Sequence, residues 1–404
     1  MTKMIKRIPF SPPKRVLMGP GPSNVSSRVL EAMARPTIGH LDPSFISFME
    51  ETKGLLRLAF ETQNKLTIPV SGPGSVAMEL CLVNLLEPED SLIVCRNGAF
   101  GSRMADIAIR CGAKPILIDD DWGKAVDLAK VSKILKQHKS AKALAFVHAE
   151  TSTGVKSDAS GLCALAKEYG VLSIVDAVTS LGGVPVHVDK WGADVVYSGA
   201  QKCLSCPPGL SMVTFSERAA DVIASRKVAV QSWFMDLSLV MGYWDEGVAR
   251  SYHHTAPINA LFGLHEALLM LEEEGHDRAW SRHWKMHQAL KAGLDAMGLN
   301  FLVDEPSRLP QLNTICVPNG VAEDKVRKRL LEDFDLEIGA GLSGLAGKVW
   351  RIGLMGASAN AANVTLCLSS LETVLHQLNT SVELGAAVPA ADAALADLIL
   401  TNRS

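Results

Sequence analysis

Two tracts of this chain end a hydrophobic run in a group that can do chemistry. Ile174–Gly183 (IVDAVTSLGG) carries Asp176, and Val195–Leu204 (VVYSGAQKCL) carries Lys202. Each begins as a strand and ends polar, so an acid and an amine are expected at the carboxyl ends of strands, where open α/β sheets hold their ligands. Taken alone, the two could equally form a structural ion pair or sit apart as solvated loop residues. A third tract, Ser71–Leu80 (SGPGSVAMEL), reads as a strand-to-helix turn whose glycines let backbone approach a ligand. The helix that follows starts with unpaired N–H groups, so Gly74 and Ser75 are candidates for holding a phosphate, although turns of this kind are often plain connectors. Neither GxGxxG nor GxxxxGK[ST] occurs, which argues against dinucleotide and ATP binding. An imine-forming lysine, a carboxylate for a pyridinium nitrogen and a helix start for a phosphate are together what pyridoxal 5'-phosphate asks of a protein. The acid would keep the ring nitrogen protonated, so that the ring accepts the electrons left when a substrate Cα loses its proton.

The elements that must position these groups are legible as alternating patterns. Strand-like runs fall at Lys65–Pro69, Ser91–Cys95, Pro115–Ile118, Ala143–Val147, Leu172–Asp176, Val195–Tyr197 and Met212–Phe215, separated by helical patterns. That alternation predicts βαβ units and a mostly parallel seven-stranded sheet covered on both faces. A helical pattern over Pro257–Glu274 ends at Gly275. Beyond it, strand-like runs at Thr314–Val317 and Val349–Ile352, with a helix between and another near Ala362–Leu378, predict a smaller α+β domain. The expected division is an extended arm over residues 1–22, a large domain over 23–275, a small one over 276–380, and a tail over 381–404 that is a terminal helix or frayed. The turn-rich Met18–Asn24 reads as an ordered crossing loop leading into a helix through Val29 and Met33.

Composition narrows the function classes. At 404 residues, with 48% hydrophobic and 21% charged residues, the chain can build two cores, and no apolar run approaches the ~20 residues that span a bilayer. A net charge of −3 with scattered Lys and Arg argues against nucleic acid. The eight cysteines lack the spacing of a disulfide framework and read as core residues in a reducing compartment. Residues 1–15 are basic, but Pro9, Pro12 and Pro13 prevent an amphipathic targeting helix, and the last three residues are not a peroxisomal S-K-L address, so the cytoplasm is expected.

Eight tracts in order carry a resemblance: MGPGPSN (18–24), SGPGS (71–75), NGAFGSR (97–103), ETSTG (150–154), VDAVTSLGG (175–183), YSGAQKCLSCPPG (197–209), YHHTAP (252–257) and VWRIGLMG (349–356). From about Val16 to Leu375 the chain resembles the class V, fold-type I aminotransferases, specifically the alanine–glyoxylate and serine–pyruvate family. The resemblance implies that Lys202 carries the cofactor and later acts as the base at Cα, and that Asp176 holds the pyridine nitrogen. Val178 would pack on one ring face and Phe100 on the other, where the family usually has Trp, with the Thr151 hydroxyl approaching the cofactor. Gly74, Ser75 and Gln201 would hold the phosphate, joined by Tyr252 and Thr255 from the neighbouring subunit of a homodimer. Arg351 would take the substrate carboxylate, its fork suiting a bidentate partner, with backbone of Gly21 and Gly39 bordering the substrate. The implied reaction passes the amino group of alanine or serine to glyoxylate or pyruvate. Alternatives are another donor on the same scaffold (3-hydroxykynurenine, ureidoglycine or aspartate), a cysteine desulfurase or other lyase, or a regulatory protein that only binds the cofactor. The last needs a DNA-binding domain for which the chain has no room.

Other signals carry less. Cys203 and Cys206 form a C-x-x-C, but no second ligand pair has matching spacing, so no metal is expected. His253 and His254, if on a strand, point to opposite faces and serve packing or hydrogen bonding. Asp119, Asp120 and Asp121 read as a solvated loop. His40, in the Gly39–Asp42 turn, is a candidate for the rim of the substrate pocket, and His148 has no partner that sequence identifies.

Overall fold

The computed structural model describes residues 9–244 and 251–401. Its centre is a seven-stranded sheet built from β1 (Leu66–Ser71), β2 (Ser91–Arg96), β3 (Lys114–Asp119), β4 (Ala143–Val147), β5 (Leu172–Asp176), β6 (Val195–Gly199) and β7 (Leu210–Phe215), in the order β1-β7-β6-β5-β4-β2-β3. All neighbours run parallel except β7, which is antiparallel to both β1 and β6. Each expected strand is present. Strands β4 to β7 are buried along their whole length, so they appear in sequence as mostly apolar runs, their few polar residues such as Ser173, Ser198, Ser211 and Thr214 being buried too.

Helices α1 (Ser27–Met33), α2 (Pro43–Phe60), α3 (Gly74–Leu85), α4 (Ala99–Arg110) and α5 (Ile258–Glu274) contribute to the core around this sheet. A second core forms around a three-stranded antiparallel sheet in which Val349–Gly353 is the middle strand, between Leu312–Cys316 and Gly339–Ala340. It is covered by α6 (His276–Ala296), α7 (Glu323–Phe334), α8 (Ala361–Gln377) and α9 (Ala387–Thr401). Gly275, at φ 79°, separates α5 from α6. The tail beyond Ser381 forms α9, which packs on α6 where Gly293 brings the backbones close: a Cβ there would lie 2.9 Å from the Ala387 carbonyl.

Of the expected arm, residues 1–8 lie outside the described residues, and residues 9–15 form neither helix nor strand. Val16–Leu17 then pairs in parallel with Leu336–Glu337, Met18 is buried in the second core, and the Met18 carbonyl accepts from Gly353 N at 2.6 Å. The crossing loop is thereby fastened to the second core at one end. At the other, Ser23 N donates to the Gln201 carbonyl (3.0 Å) and Ser23 Oγ to the Lys202 carbonyl (2.7 Å). Among the described residues no helix is long and apolar enough to cross a membrane.

Candidate functional site

A cavity of about 220 Å3 opens beyond the carboxyl ends of β1, β2, β4, β5 and β6. It brings together Gly74, Ser75, Phe100, Thr151, Asp176, Val178, Gln201 and Lys202, drawn from five strand-to-helix or strand-to-loop connections. A wider hollow of about 500 Å3, lined by Lys65, Lys167 and Arg218, lies at the amino ends of the strands and holds none of these residues.

Asp176 ends β5 and is buried. Register pairs it with Tyr197 on β6, whose hydroxyl donates to Oδ2 at 2.9 Å, while Val178 N donates to Oδ1 at 2.8 Å. Burial outweighs these two donors and pushes the carboxyl up to about 7, so the site favours a partner that would restore its charge. Lys202 follows β6 by three residues and donates to the Pro20 carbonyl of the crossing loop. Burial, helped by the Arg351 charge and opposed by Cys203 and Asp176, lowers its amine to about 8. A Cβ at Gly21, which also has φ +105°, would overlap the Lys202 side chain, so only glycine lets the loop pass this closely.

Helix α3 begins at Gly74 with no side-chain cap, leaving its first N–H groups for another acceptor. A Cβ at Gly74 would lie 2.9 Å from Val178 Cγ2. Gln201 Oε1 is buried without a partner at the same wall. Arg351, on the middle strand of the second sheet, is buried and held by the Ala340 carbonyl (Nε, 2.6 Å) and the Thr151 carbonyl (Nη1, 3.0 Å). Burial lowers it only to about 10, so it stays charged at neutral pH. The uncapped helix start, the buried acid and the neutralisable amine fit pyridoxal 5'-phosphate, and Gln201 would serve its phosphate through the amide NH2, with the amide turned over.

Gly21 and Arg351 do not line the cavity themselves but touch residues that do, Lys202 and Thr151, and three further expected residues lie elsewhere. Gly39 is exposed and does not line the cavity, and Tyr252 (64% exposed) and Thr255 lie on the surface of this same chain, 3.5 Å apart through their hydroxyls. His40 likewise lies off the cavity, its ring against Tyr243 and Tyr252. The opposed-face reading of His253 and His254 is corrected: they lie in no strand, and their Nδ1 atoms meet at 2.8 Å. Both do pack and hydrogen-bond, His253 stacking on Trp233 and His254 meeting Ser71 Oγ at 2.9 Å. The acidic run is solvated at Asp119 and Asp121, which are exposed, although Asp119 ends β3 and pairs with Arg96 through both oxygens, and Asp120 is covered and pairs with Lys130. His148 is buried edge-on to Trp191, and burial pushes it down to about 3, which keeps it neutral. Burial pushes the Cys203 and Cys206 thiols up to about 12, far from a reactive thiolate.

Sequence reasoning missed three residues. Tyr197 anchors Asp176, and its position opposite that acid follows from strand register. Glu150 is buried and accepts from Phe100 N (3.1 Å), Gly101 N (3.4 Å) and Ser152 Oγ (2.5 Å), capping α4 from another loop. Arg103 lines the cavity one helical turn after Phe100, a spacing that puts both on one face.

A family model described as aminotransferase class V matches residues 16–359. The chain is 40% identical over 372 residues to a rabbit (Oryctolagus cuniculus) alanine–glyoxylate aminotransferase, covering 92% of this chain and 95% of that one. The solved structure of ureidoglycine–glyoxylate aminotransferase from Bacillus subtilis superposes with a TM-score of 0.93 at 38% identity, covering 95% and 99% of the two chains. That of alanine–glyoxylate aminotransferase from Nostoc sp. gives 0.90 at 43% identity, covering 93% and 98%.

Proposed function

We propose, from the premise that this chain belongs to the class V aminotransferases, that it transfers the amino group of a small amino acid, alanine foremost, to glyoxylate. Its cofactor is pyridoxal 5'-phosphate, which when bound supplies an aldehyde carbon and an electron-accepting ring. Lys202 binds it covalently, Asp176 holds its ring nitrogen, Val178 and Phe100 pack on it, Thr151 approaches it through its hydroxyl, and Gly74, Ser75 and Gln201 take the phosphate. With its amine at about 8, roughly a tenth of Lys202 is neutral at pH 7. That fraction lets it act as the base at the substrate Cα. Arg351 receives the substrate carboxylate, with Gly21 backbone beside Lys202. Tyr252 and Thr255 complete the phosphate site of a partner subunit in a homodimer. Buried unpaired cysteines support a reducing compartment, the cytoplasm.

The observation that carries this reading is the meeting of Asp176, Lys202 and the uncapped start of α3 around one cavity. A second donor, (S)-ureidoglycine, is favoured by the 0.93 TM-score likeness to an enzyme named for it. The test is glycine formation from glyoxylate with alanine, serine, aspartate, 3-hydroxykynurenine and (S)-ureidoglycine offered in turn. Alanine is expected to lead. Lys202→Ala should abolish both turnover and the borohydride-stable adduct at position 202, and an adduct at another lysine would overturn the assignment.

A further inference from the structure

The phosphate cradle described so far carries no positive charge. Gly74, Ser75 and Gln201 are neutral, as are Tyr252 and Thr255, whereas a phosphate monoester bears about −1.5 to −2 charges at neutral pH. Two cationic side chains line the cavity, and Lys202 is committed to the aldehyde end. The other is Arg103. Its Nη1 donates to Ser75 Oγ at 2.9 Å, and its guanidinium carbon lies 5.0 Å from the centroid of the Phe100 ring. Among the described residues it meets no carboxylate, unlike Arg96, which spends its fork on Asp119, and Arg110, which pairs with Asp106. A guanidinium stacked on an aromatic ring keeps its in-plane N–H groups available for an anion.

We propose that Arg103 is a further cofactor-binding residue, supplying the charge that the rest of the phosphate cradle lacks. This rests on the cofactor reading above. Phe100, Arg103 and Ser75 then form one connected unit: the ring that packs on the cofactor is also the platform that orients the charge, and Ser75 fixes the guanidinium at the start of α3. Because Arg103 is exposed, its replacement should leave the fold intact.

The experiment titrates cofactor-free wild type, Arg103→Gln and Arg103→Lys with pyridoxal 5'-phosphate and, separately, with pyridoxal, which lacks the phosphate. Arg103→Gln should weaken pyridoxal 5'-phosphate roughly tenfold or more, the scale of a charge-assisted hydrogen bond, and leave pyridoxal within about twofold. Arg103→Lys should fall between, and the gap between Arg103→Gln and wild type should shrink as salt rises. Equal weakening of both ligands would overturn the proposal, since Arg103 would then act only through the shape of the Phe100 wall; so would unchanged affinity for the phosphorylated form. Failure of the wild type to bind pyridoxal 5'-phosphate is a separate outcome, which removes the cofactor reading and this proposal together.

Discussion

Asp176 is held in a setting that costs the cofactor-free protein stability. Burial holds its folded carboxyl at about 7, well above the usual carboxylate range, so the fold prefers the protonated form. Stability therefore falls as pH rises from about 4 through 7 and stays low above, by up to about 4 kcal/mol at ~1.4 kcal/mol per pH unit. Asp176→Asn should raise the melting temperature of the cofactor-free protein at pH 8, while single-turnover amino transfer from alanine drops by roughly 10^2-fold or more; a variant melting below wild type would contradict the burial argument. Lys202 gives a second pH signature. Its neutral amine is the nucleophile, so adduct formation with pyridoxal 5'-phosphate should accelerate with pH up to about 8 and then level off, where an ordinary lysine would keep climbing past 10. Lys202 and Asp176 were legible because each closes a hydrophobic run. Tyr197 was not, because a buried tyrosine inside a strand looks like core until register sets its hydroxyl beside the acid.

At the scale of elements, α4 shows how a loop sets the cavity wall. Its N-cap is Gly98, which has no side chain, and the capping is done by Glu150, more than fifty positions further along the chain. Short propensity windows cannot see such a cap, whereas the seven strands, as apolar runs bounded by turns, were visible within a residue or two at most ends. The His253–His254 pair was misread because a period-two argument applies only to strands. A Cβ at Gly98 would overlap the Glu150 carboxyl group and lie 2.5 Å from Ser152 Oγ. Gly98→Ala is therefore expected to cost about 1–3 kcal/mol of stability and to loosen cofactor binding by displacing Phe100. Thermal melts with and without cofactor would read both, and an unchanged melting temperature would show that the loop yields freely.

For the molecule as a whole, the surface position of Tyr252 and Thr255 has a direct test. If they serve a partner's cavity, Lys202→Ala and Thr255→Arg dimers are each inactive, yet subunit exchange between them should restore about a quarter of wild-type activity, because half of the mixed dimers' sites carry no defect. Sites built within one chain would recover nothing. The division into two cores was legible from the change in pattern after Gly275; the fastening of the first residues to the second core was not, because a two-residue strand such as Val16–Leu17 leaves no periodic trace. That fastening also sets an order of events during synthesis. Met18, Pro20 and Ser23 are made well before Leu336–Glu337 and Gly353, which seat that stretch. A nascent chain can finish its large sheet before then, yet the Pro20 carbonyl that accepts from Lys202 stays unseated until those later segments have emerged.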